Sequence, residues 1–505
     1  VHQDTTRGRV AVEGAETGGA APFAKGPVLG IAAVIGSILL ITSVGYRYSG
    51  DELYFLAAGR HLDWGYVDQP PLVPLLAHLM DSVLPGSRLA LRLPVTVLVP
   101  LTAVLAARLA GELGGGRRAQ VLTCVTFAIS PTILMGSHRL STTIVDVCCW
   151  TAATWLLVRW VRVRDDRLWL AIGAVTAIAL QAKYLVVFLW VAVGVALVAA
   201  GPREVFRRPL LWAGAAIAAV VAAPGVVWQA AHGWPQVDMG SAIAAEVEAA
   251  GGRAAFLPIL LLGTGLVGGV LLCGGLWRLL RAPELRPYRF LGWTVVLLAV
   301  FFLVSDSRPY YLTGLFPLCW AAAAVGIERR RPARWWRWVP TWPTCLVTVV
   351  ILVRGVLPLD VEWLWGADRT VLALRDFDWP ALTDAVADTY RGLDPAERSD
   401  AVVVADDYGR AGALDRFGPE RGLPPVYSGS RGYWYFGTPP ERIDTVVYVG
   451  PLPEALRREC ENTRLVREFV DPLGPTARGG HGVPIWVCTG IRPPWAELWP
   501  RLRHL

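Results

Sequence analysis

The segment SGDELYFLAAGRHLDWGYVDQPPLVPLL, Ser49 to Leu76, directly follows an apolar run long enough to cross a membrane. It carries four carboxylates (Asp51, Glu52, Asp63, Asp68), together with Arg60, His61 and the pair Pro70-Pro71. Later loops add His138 and Arg139 in SHRLS, Lys183 in LQAKYL, His232 in AAHGWPQ, and Asp306, Arg308, Tyr310 and Tyr311 in SDSRPYYL, with Asp146 one turn into an apolar run. A carboxylate can take a proton from a hydroxyl, while cations and phenols can hold a departing phosphate. This inventory suits moving a sugar from a lipid phosphate to a hydroxyl: Asp51 or Glu52 for the proton, and Lys183, Arg139, Arg308, His138, His232, Tyr310 and Tyr311 for the phosphate.

Simpler readings compete at two of these positions. Ser49 followed by Glu52 three residues later is a helix capping box, and Asp51 adds favourable charge at the same helix start. Lys183 can snorkel from the end of a span. Yet the chain holds 48 Lys and Arg, of which only Lys25 and Lys183 are lysine. Where arginine serves almost every need for positive charge, a retained lysine points to a compact ammonium in a tight phosphate site.

The elements that must position these groups are membrane spans. The chain has 505 residues, is 54% hydrophobic and 18% charged, and reads as polytopic. Residues 1–26 are polar and read as a disordered cytoplasmic N-terminus, and the first apolar run lacks a cleavage site and reads as an uncleaved span. Eleven spans are expected near 27–46, 89–110, 119–135, 142–160, 168–182, 184–200, 210–230, 257–277, 290–304, 310–327 and 338–356. Arginine clusters fall in alternate loops, which places those loops and the N-terminus in the cytoplasm. Keeping two such clusters on one side requires residues 168–200 to form a hairpin turning near Lys183. The first loop (47–88) and all the polar positions above then share the outer face, where ionisable groups at membrane depth mark a functional site.

With the topology set, a resemblance is visible. DELYFLAAGRHLDWGYVDQPPLVPLLA, HRLSTTIVD, LQAKYLVVFL, HGWP and RPYYLTGLFPL occur in an order that resembles the polyprenyl-phosphate-sugar glycosyltransferases of the GT-C superfamily. The branch is that of the protein O-mannosyltransferases and lipid A aminoarabinose transferases, over roughly residues 27–356. The resemblance implies a GT-C fold, Asp51 as catalytic base with Glu52 as its neighbour, and a polyprenyl-phosphate-linked sugar donor entering from the outer leaflet with Lys183 near its phosphate. It implies inversion by single displacement, transfer of mannose or a similar hexose, and a hydroxyl-bearing acceptor that is a protein, lipid, glycan or secondary metabolite. Arg308, Tyr310 and Tyr311 fall where relatives carry a basic residue, a Tyr and a Leu-Pro, although here Thr313-Gly314 replaces the Leu-Pro. Asp146 matches a carboxylate of relatives. With Asp68, His232 and Arg60 it is assigned to acceptor binding or support. No cofactor is expected; Asp51, Glu52 and Asp146 offer oxygen ligands to a divalent ion, which is not favoured, and no zinc-type spacing occurs.

Residues 357–505 change character. Short apolar runs (AVVVAD, DTVVYVG, VPIWVC) alternate with helix-like and Gly/Pro-rich pieces, which predicts an extracytoplasmic α/β domain. VVVADDYGRAGAL has nucleotide-fold order without a G-x-G-x-x-G. Tyr433 to Phe436 suits either stacking on a sugar or half-buried strand packing. Cys460 and Cys488, both in this oxidising setting, are expected to pair. The net charge of +7 is explained by loop arginines facing anionic membrane lipid rather than nucleic acid. A transporter or flippase is the alternative class. It predicts charges deep in several spans or paired repeats with broken helices, and the sequence shows neither.

Overall fold

The computed structural model describes residues 21–330, 337–356, 377–471 and 482–505. Most of the expected N-terminal tail, Arg331 and Arg334, and the start of the C-terminal domain lie outside the described residues.

Each of the eleven expected spans falls on helix. They are α1 (Lys25–Thr42), α4 (Arg88–Glu112), the pair α5 (Arg117–Ala128) and α6 (Pro131–Ser137), α7 (Thr142–Val163), α8 (Leu168–Ala182), α9 (Val186–Ala200), α10 (Pro209–Ala231), α12 (Gly252–Arg281), α13 (Arg289–Val304), α14 (Phe316–Arg329) and α15 (Trp342–Val356). Between them lie α2 (Gly50–Arg60), α3 (Leu72–Val83) and α11 (Pro235–Ala249), shorter helices in the connecting loops. Among the described residues seven helices are long and apolar enough to cross a membrane, and the α5–α6 pair makes an eighth. The helices α8 and α9 have 15 residues each, about 22 Å of rise. They turn back on each other at Lys183, whose extended backbone ends α8.

One expected span is not a single rod. The run 119–135 is broken, with α5 and α6 bent by 55° where Pro131 follows Ser130. Proline cannot donate the hydrogen bond that would continue the helix. The break meets a second one: Gly265 of α12 is non-helical (φ 71°, ψ 175°), and Ser130 Oγ donates to the Gly263 carbonyl at 3.2 Å. Elsewhere small residues let helices approach closely. A Cβ on Gly173 of α8 would lie 2.4 Å from the Gly214 oxygen of α10, and one on Gly275 of α12 would lie 1.8 Å from the Cys319 oxygen of α14.

The arginine-rich loops gather at one end of the bundle and find acidic partners there. Arg159 and Arg162 both pair with Glu112, Arg208 with Asp166, and Arg278 with Glu284. The other end carries α2, α3, α11 and the C-terminal unit. That unit holds a five-stranded sheet in the order β2-β1-β3-β5-β4. Strands β1 (Ala401–Ala405), β2 (Val426–Ser428) and β3 (Thr445–Val449) are parallel, and β4 (Cys460–Phe469) and β5 (Val483–Ile491) complete it antiparallel. Cys460 and Cys488 form a disulfide between these last two strands, with Cα atoms 5.8 Å apart. The aromatic run Tyr433 to Phe436 is not a strand. It belongs to a 3₁₀ turn, Arg431–Phe436.

The C-terminal unit docks on α2. Its helix Tyr408–Phe417 crosses α2 where Gly409 meets Gly50 and Gly412 meets Leu53, contacts that leave no room for a Cβ. Arg60 pairs with Asp415, Arg47 with Asp378 at 2.9 Å, and His61 stacks on Phe436 with ring centroids 4.6 Å apart.

Candidate active site

The acidic pair splits at once. Ser49 caps α2 and completes the expected capping box with Glu52. Asp51 and Glu52, one residue and about 100° apart on a helix, face different surroundings. Glu52 is fully buried. Its oxygens accept from Arg92 Nε and Nη2 at 2.8 and 2.7 Å, from Leu140 N at 3.1 Å and from Ser49 N at 3.0 Å. Arg92, equally buried, also donates to the carbonyls of Ser43, Tyr46 and Arg47. Every oxygen of Glu52 is thus committed to tying α2 to α4 and to the start of α7. The catalytic expectation for Glu52 is corrected to a structural one: a buried pair of this kind fixes the chain path and leaves no carboxylate free for a substrate.

Asp51 is exposed. Its Oδ1 accepts from the Tyr408 hydroxyl at 2.8 Å, a residue of the C-terminal unit. Asp68 lies close by. Its Oδ1 accepts from the Tyr54 hydroxyl at 2.8 Å, and Arg431 Nη1 stands 3.8 Å from its Oδ2. Burial pushes the Asp68 carboxyl up from its ordinary value, and Arg431 opposes that shift. The Arg431 guanidinium lies 4.5 Å from the centre of the Tyr408 ring.

A line of contacts runs from there to the end of α8. Arg431 Nη2 is 3.2 Å from Glu246 Oε1 on α11. The other oxygen of Glu246 accepts from Arg308, which also donates to the Tyr310 hydroxyl at 2.9 Å. The Lys183 ammonium then sits 5.3 and 4.5 Å from the ring centres of Tyr310 and Tyr311, and its charge reaches Asp146 in α7. Asp146 is buried, with the Trp150 indole one turn along α7 beside its carboxyl. Asp51 and Asp68 are thus linked to Arg308, Tyr310, Tyr311 and Lys183 through Tyr408, Arg431 and Glu246, one pair contact after another.

Other expected residues are placed elsewhere. His138 is buried and uses both ring nitrogens on the protein, Nδ1 with the Leu134 carbonyl at 2.7 Å and Nε2 with Thr42 Oγ1 at 3.1 Å, under the ring of Tyr46. It is a packing residue rather than a phosphate ligand. Its neighbour Arg139 is half-buried in the α6–α7 turn. His232 stacks on Trp228 at 4.0 Å and faces Tyr435, and Trp228 Nε1 donates to Asp63 Oδ2 at 2.6 Å. That aromatic contact and the Arg60–Asp415 pair hold the C-terminal unit in place, so His232 and Arg60 stand outside the line of contacts. Residues missed by sequence reasoning are Tyr54, Glu246, Tyr408 and Arg431. Arg431 had one local signal, its place directly before the conspicuous aromatic run. Among the described residues no group of three or more His, Cys, Asp or Glu side chains is arranged to hold a metal ion.

An apolar groove of about 490 Å³ runs along α8, α9 and α10. It extends from Trp169 and Phe206 at the arginine-rich end to Leu180, Val186 and Val187, the residues that flank Lys183.

Residues 68–228 match the dolichyl-phosphate-mannose-protein mannosyltransferase family. The match covers about a third of the chain and begins downstream of Asp51 and Glu52. In fold, the chain is similar to ArnT from Cupriavidus metallidurans bound to undecaprenyl phosphate, with a TM-score of 0.57 at 16% identity over 91% of this chain and 97% of that one. The apo state of the same protein gives 0.58 at 16% identity over 92% and 98%. The likeness to ArnT is one of fold, and the family match is confined to about a third of the chain. Arabinofuranosyltransferase AftD from Mycobacteria is more distant, with a TM-score of 0.47 at 16% identity over 91% of this chain and 40% of that one. No curated protein matches the chain.

Proposed function

We propose that this chain is a GT-C superfamily glycosyltransferase of the ArnT and protein-mannosyltransferase type, which moves a sugar, mannose or a similar hexose, from a polyprenyl-phosphate carrier to a hydroxyl acceptor at the extracytoplasmic face, with inversion. The observation that carries this reading is the pairing of an apolar groove with a polar head. The groove suits an isoprenoid tail, and Lys183, three residues from its lining residues Leu180 and Val186 and against the rings of Tyr310 and Tyr311, suits the phosphate together with Arg308. In ArnT the same fold holds undecaprenyl phosphate.

The reaction follows from the groups along the line of contacts. The acceptor oxygen attacks the anomeric carbon as the bond from that carbon to the phosphate oxygen breaks. The electron pair leaves with the phosphate, whose growing charge is met by Lys183 and Arg308. The acceptor proton passes to Asp51, the exposed member of the acidic pair, held in one orientation by Tyr408. One displacement inverts the anomeric centre and needs no covalent enzyme intermediate. Asp146, which feels the Lys183 charge, is assigned to the sugar or to orienting the ammonium. The acceptor is a hydroxyl of a protein, lipid, glycan or secondary metabolite.

The test is transfer of labelled sugar from synthetic mannosyl-phospho-polyprenol in membranes carrying the wild-type chain or Asp51→Asn, with peptide, lipid and glycan acceptors supplied together. Transfer by wild type and its loss in the variant is the expected result. A wild-type chain that moves the labelled carrier across the bilayer without ever transferring the sugar would replace this reading with that of a flippase.

A further inference from the structure

Glu246 is in an unusual position for a surface carboxylate. One of its oxygens meets Arg308, which precedes the buried helix α14, and the other meets Arg431, which belongs to the C-terminal unit. Two guanidiniums from opposite sides of a junction thus converge on one anion, an arrangement suited to a phosphate group. The exposures say which partner is held less firmly. The Arg431 side chain is 15% exposed and Arg308 31%, but Glu246 is 46% exposed.

The two arginines are fixed by other contacts. Arg431 adopts a left-handed backbone (φ 46°), a conformation that costs a non-glycine residue energy and persists only where its surroundings enforce it. Here its N–H donates to the His504 carbonyl at 2.9 Å while its side chain stacks on Tyr408. Arg308 is anchored on Tyr310. Glu246, by contrast, rides on α11, which buries only Pro235 and Met239. Left-handed residues bracket that helix, Gly233 and Trp234 before it and Gly251 and Gly252 after it.

We infer that Arg308 and Arg431 form a phosphate seat spanning the membrane bundle and the C-terminal unit, and that Glu246 is the internal anion a phosphate monoester displaces from it. The inference rests on the lipid-phosphate reading above and adds to it a ligand from the C-terminal unit and a built-in competitor. Displacement exchanges one carboxylate for a group with more charge and more acceptor oxygens, so the arginines are never left without an anion. While Glu246 holds the seat, apparent affinity is reduced by the fraction of molecules in that state.

The experiment uses the full chain in lipid nanodiscs, with undecaprenyl phosphate and inorganic phosphate as separate probes. Glu246→Gln is expected to bind undecaprenyl phosphate about 10-fold more tightly than wild type and Arg431→Gln about 10-fold more weakly. In the double variant the gain from Glu246→Gln should vanish. Hydrogen exchange across 235–249 should rise when the probe binds, as α11 is released. Tightening by Glu246→Gln for both probes would assign the seat to phosphate in general, and tightening for undecaprenyl phosphate alone to the lipid-linked group. Unchanged or weaker binding by Glu246→Gln, in a chain whose binding is still lost with Lys183→Met, would overturn the seat and leave the carrier reading intact. A wild-type chain that binds no undecaprenyl phosphate would overturn both.

Discussion

The two sides of the bundle differ in how their helices are packed. In α7, 83% of the most apolar window is buried, against 22% in α10. Buried α7 and α14 carry the packed side, with α4 and α5 against them; α8 to α12 leave broad apolar faces uncovered. The charged groups follow this division. On the packed side Glu52 and Arg92 are sealed in a fully satisfied pair. Towards the open side Lys183 lies against the rings of Tyr310 and Tyr311, and Glu246 lies on a thinly anchored helix. The same residue types thus meet different surroundings: Glu52 and Arg92 pair with each other inside the protein and hold structure, whereas Glu246 stands at the surface where a ligand can reach it.

The largest effect that would break this comparison is at the packed side. Glu52→Gln leaves Arg92 as an uncompensated buried charge and should cost about 3–5 kcal/mol, read as a fall in the unfolding midpoint and in the recovery of monodisperse protein from detergent. A variant that folds normally yet transfers no sugar would return Glu52 to the catalytic role. Next comes Asp51→Asn, expected to lower transfer by about 10²–10⁴-fold, the usual worth of a general base, while the unfolding midpoint stays near that of wild type.

Smaller effects sharpen the picture of the open side. Lys183→Met should weaken binding of undecaprenyl phosphate about 10- to 100-fold, the range for a hydrogen bond to a charged group, measured on the nanodisc-embedded chain. Lys183→Arg should not restore it, because a planar guanidinium does not replace a compact ammonium set against the two rings; full rescue would reduce Lys183 to a simple positive charge. Smallest is Tyr408→Phe, which removes only the hydroxyl that orients Asp51. Loss of one such bond, about 1 kcal/mol, should cut transfer about 5-fold without weakening binding of undecaprenyl phosphate. An equal fall in both would mean that the hydroxyl docks the C-terminal unit rather than orienting the carboxylate.

Much of this was legible in the residues. Length and apolarity marked every span. Arginine clustering required the α8–α9 hairpin that brings Lys183 to the functional end, and the rarity of lysine singled that residue out. The capping box at Ser49 and Glu52 was local and formed as written, because its partners are three residues apart. The alternation of short apolar runs after residue 400 marked an α/β unit. What failed was the division of labour within the polar list. His138, Glu52 and Arg60 have the same chemistry as Lys183, Asp51 and Arg308, and only their distant partners Thr42, Arg92 and Asp415 show that they are tied into the protein.

Sequence by itself determined the bundle, because the need to satisfy backbone groups in hydrocarbon acts on each segment separately. It also determined that most charged groups gather at the ends of the bundle, because charge is costly to leave within an apolar run. Tertiary structure alone decided which carboxylate is free, and it alone brought Tyr408, Arg431 and Glu246 to a site whose other members lie up to hundreds of residues away. Those contacts are set by how α2, α11 and the C-terminal unit dock, and docking depends on shape complementarity such as Gly50 against Gly409, which leaves no periodic trace in the chain.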